Sequence, residues 1–363
     1  MSQKQEIFEK VLSLVRCELW GEPLSCAIPA EEIEDILKVA KEQGVSGLVA
    51  NAIVSQHLPI GEDMTMEVCA IQRLHEKKNR EMNAEIAQFA GFLNRRNLAY
   101  VIMKGQTMAA LYPNPLMRSS GDIDFYCPKN SFEAVQQAIE ERLGIVMKHN
   151  DKEMHDTFRI NDIIFEMHRK MTVFACSSHN RYWVECFEKD DMHFLSEITI
   201  NGEKIKTLSP TMNALYIFVH LFRHFSTEGE GLRHFCDWAL VLHREKVHID
   251  VCELERHLRG IGYLKAYKVL GSWLVRVLGL PLDDFPFDLK EINSKWIPLF
   301  SENIKKMGNL GKFDKQNAKG VDNLSTFVAI KQAAIFFTLS PYEILYRIPK
   351  MMEYSIKKRF CKR

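Results

Sequence analysis

The chain has no apolar run approaching the roughly 20 residues that a helix needs to cross a bilayer. The nearest candidate, Phe327 to Leu339, is interrupted by Lys331. Its nine cysteines form no C-x-x-C pair and are irregularly spaced, which speaks against a disulfide framework and against a cysteine zinc site. Free thiols in a reducing cytoplasm are therefore expected. Charge of either sign is not in excess. Lys and Arg number 48 and Asp and Glu 47, a net charge of +1, so nothing draws the whole molecule to nucleic acid or to a membrane. A nucleic-acid polymerase is not expected on this balance. There is no internal repeat and no low-complexity tract, and the opening Met-Ser-Gln-Lys-Gln-Glu carries no apolar h-region, so no secretory leader is expected.

What is present is ordinary globular composition, 46% apolar and 26% charged over 363 residues, enough for two or three compact units. Residues 1–97 read as helical. Ile33, Ile36, Leu37 and Ala40 repeat at helix spacing up to Gly44, a second helix covers 45–55, and a long one covers 64–95. The character changes at residue 98. Strands are predicted over 98–103, 122–126, 157–160 and 163–168, with Asn161-Asp162 as a tight turn and a helix over 131–143. A further hairpin joins 198–200 to 204–206 through Asn201-Gly202. From Ser209-Pro210 the chain is helical again, over 215–225, 231–244, 251–259 and 263–278. The glycine- and lysine-rich stretch 308–323 reads as a loop or a poorly ordered segment. The expected organisation is a helical region 1–97, a core 98–208 and a second helical region 209–363.

The chemistry concentrates at Gly121-Asp122-Ile123-Asp124-Phe125. Side chains alternate across a strand, so Asp122 and Asp124 share one face while Ile123 and Phe125 enter a core. Two like charges side by side repel unless a cation neutralises them, and hard oxygen ligands at this spacing suit Mg²⁺ together with a phosphate. Glu166, on the Ile164 and His168 face of a later strand, offers a third carboxylate, whereas Asp162 reads as a turn former. His220 and His224 stand at i and i+4 on one helix, and a packed or hydrogen-bonded pair is favoured over zinc because the motif is weak. His234 falls on the next helix, where Arg233 and Asp237 have the spacing of a helix ion pair or of residues lining a cleft. From Arg347 to Arg363 seven basic residues stand against Glu353 alone. An amphipathic basic helix is expected there, starting near Pro349; a helix packed on the domain with its lysine face in water is favoured, and weak contact with an anionic surface is its functional reading.

Lys104-Gly105 after the apolar run from Leu98, Leu111-Tyr112-Pro113, Arg118, Gly121-Asp122-Ile123-Asp124 and Glu166-Met167-His168 together give the chain a resemblance. It resembles the uncharacterised bacterial nucleotidyltransferases of the DNA polymerase β-like superfold. Further matches lie at Leu37 to Leu48 and at His220, His224, Leu232-Arg233 and Asp237, so the likeness spans about residues 30–270. It implies an α+β fold, a mixed sheet with helices on one face, flanked by helical regions. It also implies a nucleoside triphosphate substrate and two Mg²⁺ (or Mn²⁺) ions on Asp122 and Asp124, with Glu166 completing the second metal site for in-line attack by an acceptor hydroxyl. Lys104, Gly105, Gln106, Arg118 and Gly121 would attend the phosphates. The sequence departs from the superfold at Gly105-Gln106, where a glycine–serine or glycine–glycine pair is usual. The acceptor, a small molecule or a protein, is not readable. Rival readings are a degenerate nucleotide-binding protein, a toxin–antitoxin type enzyme modifying tRNA or a protein, and a helical scaffold with incidental aspartates.

Overall fold

Four helices lead the chain: α1 (Gln3–Trp20), α2 (Ile33–Glu42), α3 (Ser46–Ser55) and α4 (Glu62–Arg95). The computed structural model describes residues 3–147, 155–189, 195–227, 229–308, 330 and 333–361. Strand β1 (Val101–Met103) follows, then the short α5 (Gln106–Ala109), β2 (Ile123–Tyr126) and α6 (Phe132–Leu143). Next come β3 (His155–Ile160), β4 (Ile163–His168), α7 (Ser177–Phe187), β5 (Leu195–Ile200) and β6 (Glu203–Leu208). The remaining helices are α8 (Pro210–Phe225), α9 (Leu232–Arg244), α10 (Val251–Gly260), α11 (Leu264–Trp273), α12 (Trp296–Met307) and α13 (Pro341–Cys361).

The described strands make one mixed sheet in the order β3-β4-β2-β1-β6-β5. β1 runs antiparallel to β2 and parallel to β6, and β2 runs parallel to β4. The outer pairs are hairpins. Asn201 and Gly202 both take positive φ, 47° and 81°, as a two-residue hairpin turn of the type I′ class requires. Asn161 also turns at positive φ, and Ile160 faces Ile163 across that turn.

Alternation sorts the strand residues onto two faces. Ile102, Ile123, Phe125, Phe165 and Met167 pack against Phe89 and Leu93 of α4 and Val135 and Ile139 of α6. Val101, Met103, Tyr126 and Leu208 turn the other way, into a larger core with Met212 and Tyr216 of α8. Helices therefore cover both faces, not one as the resemblance implied. The reason is written in β1, whose three consecutive apolar residues are all buried and need cover on both sides. α8 is buried nearly all round, as a central helix must be. It starts where expected, with Pro210 at its first position and the Ser209 hydroxyl accepting from the Met212 N–H at 3.3 Å. The first helix meets the segment after α11 where Trp20 Nε1 donates to the Leu278 carbonyl at 2.7 Å.

Some elements differ from expectation. α7 and α12 were not anticipated; Trp183 and Phe187 anchor one, and Trp296, Phe300 and Ile304 anchor the other at helix spacing. α13 begins at Pro341 and carries Pro349 inside it, eight residues earlier than predicted. Its start is held by Glu343, buried and accepting from the Ala175 and Cys176 N–H groups at 2.7 and 3.0 Å. The side chains of the basic stretch from residue 354, and the expected loop 309–323, lie outside the described residues. Among the described residues no helix is long and apolar enough to cross a membrane.

One close approach sets how α3 meets the turn that leads into the aspartate strand. A β-carbon on Gly47 would stand 2.3 Å from the Met117 carbonyl oxygen and 3.0 Å from the His75 ring. Backbone must then move. Gly47→Ala is expected to destabilise the fold by about 1–3 kcal/mol, the usual cost of overpacking. Urea denaturation measures this, and a change within about 0.5 kcal/mol would mean that the turn yields freely.

Candidate active site

The site forms where β1, β2 and β4 end against α8 and α9. After Met103 the chain turns through Lys104 at φ 60° and Gly105 at φ 57°, ψ −122°. The second of these lies outside the regions open to L side chains, so glycine is required there. The turn leaves the Lys104 ammonium 3.1 Å from Asp124 Oδ2. His168 Nε2 lies 2.8 Å from the other oxygen, Oδ1. Glu166 is the direct neighbour of Asp124 across the parallel β2–β4 pair, on the same face, with Oε2 3.6 Å from His168 Nε2. His155, opposite His168 on β3, brings its Nε2 to 3.6 Å from the same Glu166 oxygen.

These contacts divide the two aspartates. Burial alone would disfavour the Asp124 carboxylate, but Lys104 and His168 outweigh it and hold its pKa well below the usual range. At His168 the Asp124 and Glu166 carboxylates overcome burial and the opposing charge of Lys104, keeping its imidazole toward the protonated form. Asp122 makes no hydrogen bond or ion pair among the described residues. Burial and the neighbouring charge of Asp124 raise its pKa. A half-buried carboxylate repelled by a second one is a group that a cation would relieve. The carboxylates of Asp122, Asp124 and Glu166 fit a hard divalent ion by ligand type.

The opposite wall comes from the helices. His220 and His224 of α8 and Arg233 and His234 of α9 line the same cavity as Lys104, Gly105, Arg118, Gly121, Asp122, Asp124 and Glu166. The three imidazoles pack together, His220 lying 4.6 Å from His224 and 5.4 Å from His234 between ring centres. Burial, reinforced by the charge of Lys104 and the neighbouring imidazoles, keeps His220 neutral. Among the described residues these three do not form a metal-ligand group. The cavity is thus acidic on the sheet side and cationic or imidazole-lined on the helix side.

Gln106 is turned away from this cavity. Its side chain is buried against α4, donating to Asn83 Oδ1 at 2.6 Å, and the Ser120 hydroxyl lies 2.9 Å from its Oε1. The substitution for a small residue is accommodated by a polar network rather than by filling the cavity. Asn79 is the centre of that network. Its amide donates to the Leu116 and Arg118 carbonyls at 2.8 and 2.9 Å, pinning to α4 the loop that leads into the aspartate strand.

Arg118 borders the cavity, yet its guanidinium is engaged elsewhere. Nε and Nη2 donate to the two oxygens of Asp237 on α9 at 2.8 and 2.7 Å, and the Tyr112 hydroxyl donates to the same carboxylate at 2.7 Å. All three groups are buried. Asp237 is therefore not the helix partner of Arg233. Both its oxygens are taken, and Arg233 instead donates to the Ser119 carbonyl at 3.3 Å. Three contributors were not singled out from the sequence. Asn79 and Ser120 look like surface residues in the chain, and the only hint for His155 was its place just before a half-polar strand. His168 entered only as a neighbour of Glu166 in the matching motif, with no role of its own.

The Arg118–Asp237 pair makes a definite prediction. Burial disfavours the Asp237 carboxylate, but Arg118 outweighs it and depresses the pKa. Its contribution to stability is then present above about pH 4 and is lost as pH falls through the folded value. Arg118→Lys keeps the charge but loses the paired geometry, and should lower the melting temperature without nucleotide. Asp237→Ala leaves a buried guanidinium unpaired and should cost about 3–5 kcal/mol. A residue that served only phosphate binding would leave apo melting curves unchanged.

Residues 29–278 match a protein family described as uncharacterised nucleotidyltransferase. No curated protein matches the chain in sequence. Among solved structures it is similar to an antigenic nucleotidyltransferase-like protein from Paracoccidioides brasiliensis. That likeness has 15% identity and a TM-score of 0.36, and covers 55% of this chain and 93% of the other. With more than half of its length matched, and with the paired aspartates and Glu166 inside the match, the chain belongs to this family of uncharacterised nucleotidyltransferases.

Proposed function

We propose that the protein transfers a nucleoside monophosphate from a nucleoside triphosphate to an acceptor hydroxyl, whose oxygen loses its proton and displaces pyrophosphate from the α-phosphorus, with Asp122, Asp124 and Glu166 as its metal-binding and catalytic carboxylates. The observation that carries the reading is the polarised cavity. Three carboxylates, Asp122 just before β2, Asp124 on β2 and Glu166 on β4, with Lys104 beside Asp124, share one cavity with Arg233 and the imidazoles of the opposite wall. Mg²⁺ or Mn²⁺ held by the carboxylates would neutralise triphosphate charge and lower the pKa of an acceptor hydroxyl. Asp122, with no hydrogen bond or ion pair among the described residues, is the ligand most ready to accept that ion. Lys104 is placed to exchange Asp124 for a phosphate oxygen, since its ammonium is a mobile point charge 3.1 Å away. Arg233, tethered through one nitrogen to Ser119, has guanidinium donors on the same side. Gly105 permits close backbone approach beside them. Arg118 contributes mainly by holding the loop on which Gly121 and Asp122 sit.

A second reading has one observation in its favour. Lys104 and His168 already satisfy Asp124 without any cation, as suits a protein that binds nucleotide but does not turn it over.

Two variants separate these readings. Asp122→Asn removes an uncompensated charge and should raise the apo melting temperature, while abolishing the stabilisation by Mg²⁺ and nucleoside triphosphate that binding linkage gives the native chain. An undiminished ligand shift would place the cation elsewhere. Glu166→Gln should retain nucleotide binding and lose more than about a hundredfold in transfer of label from each radiolabelled nucleoside triphosphate to acceptors in a cell extract. Equal, measurable transfer by Glu166→Gln and the native chain removes Glu166 from catalysis; tight binding with no transfer by the native chain supports the second reading.

A further inference from the structure

Beside the carboxylates, on the outer strands of the same sheet, lies a donor set of different chemistry. His155 and His168 are directly opposed on the antiparallel β3–β4 pair, and Glu166 stands two residues before His168 on the same face. Each histidine Nε2 is 3.6 Å from Glu166 Oε2, and the ligand atoms of all three residues lie within 4.8 Å of one another. In a tetrahedral site with bonds of about 2.0–2.1 Å, ligand atoms stand roughly 3.4 Å apart. Small side-chain rotations would therefore close the set around one ion. The imidazole rings are 5.1 Å apart and tilted at 45°, so they are not stacked face to face and both Nε2 atoms can turn to a common point. His168 and Glu166 are largely shielded from water and His155 is about a third exposed, which leaves an open side for a further ligand.

We propose that His155, Glu166 and His168 hold a first-row transition-metal ion of the Zn²⁺ class, with a free coordination position. Two imidazoles and one carboxylate are a poor match for Mg²⁺, which selects oxygen ligands, and a good match for ions that accept nitrogen. Two histidines and a glutamate are also the donor set of open zinc sites. Without an ion, the same atoms spend their polarity on one another: His168 Nε2 is shared between Asp124 and Glu166, and His155 leans on Glu166. Binding would release the His168 Nε2 proton to solvent, move that nitrogen from Asp124 to the ion and leave Asp124 to Lys104, joining this site to the paired aspartates. The inference shares Glu166 with the transfer reading but needs neither nucleotide nor turnover.

The test uses the full chain, freed of metals and titrated with Co²⁺, whose visible absorption reports low coordination number, and then with Zn²⁺ in competition. Mg²⁺ is present in large excess throughout. The expected result is a bound Co²⁺ with intense absorption that Zn²⁺ displaces and Mg²⁺ does not. His155→Ala should weaken Co²⁺ binding by at least about tenfold, since even outer-shell changes at metal sites commonly cost 10–100-fold. Asp122→Asn should leave it intact. His155→Asn serves as a second variant, and apo melting curves establish that both histidine variants fold. Unchanged affinity in both folded variants, or displacement by Mg²⁺, overturns the proposal. Failure here with a persisting Mg²⁺–nucleotide stabilisation would leave the transfer reading standing. Co²⁺ binding lost in His155→Ala, without any nucleotide response in the native chain, would do the reverse.

Discussion

The buried pair between Arg118 and Asp237 is the constraint on which the cleft depends. Its two hydrogen bonds, at 2.8 and 2.7 Å, tie the loop before β2 to α9, and Tyr112 joins the same carboxylate from the turn after α5. Asp237 thus gathers both ends of the segment 112–118 and places the adjoining residues, Ser119 to Asp122, against the helical wall. Asn79 completes the hold from α4 through the Leu116 and Arg118 carbonyls. A loop carrying Asp122 next to the strand residue Asp124 would otherwise relax their repulsion by moving away. Held between α4 and α9 it cannot, and the charge stays concentrated.

That concentration is uneven, and the unevenness has chemical meaning. Asp124 is compensated twice, by an ammonium and an imidazole, so it remains ionised despite burial. Asp122 makes no hydrogen bond or ion pair among the described residues, and burial with the charge of Asp124 outweighs the more distant Lys104 and Arg233, so its pKa is raised. Fixed polar groups set around an unsatisfied carboxylate are the arrangement expected where stability is given up for binding. The three imidazoles and Arg233 supply the opposite wall without neutralising the carboxylates, because they belong to helices packed over the other side of the cavity.

Much of the framework was legible along the chain. Both hairpins, the helix starting at Ser209-Pro210 and the paired-aspartate strand arise from local rules: turn residues that tolerate positive φ, a serine that caps, alternation that separates Asp124 from Ile123 and Phe125. Asp122, Asp124, Glu166, Lys104 and Gly105 reach one cavity, as their order along strands predicted. The covering of both sheet faces was not foreseen, since it depends on how far Val101-Ile102-Met103 is enclosed by helices distant in sequence. Gln106 was expected beside the phosphates because a residue's identity does not say which way its side chain turns. In the folded chain it turns toward Asn79 and Asn83 of α4.

By itself the sequence determined the order of elements and the residues that can carry chemistry, because helix and strand periodicity, caps and tight turns are local properties of neighbouring residues. Only the tertiary structure decided their partners. Arg118 pairs with Asp237 rather than facing the cleft freely, Arg233 reaches Ser119 rather than its helix neighbour, and His155 meets Glu166 across a strand pair. Each of these contacts joins groups whose separation along the chain carries no information about their distance in space. A buried charge takes the partner that the packed backbone brings within hydrogen-bond reach, and that choice is made only when the helices close over the sheet.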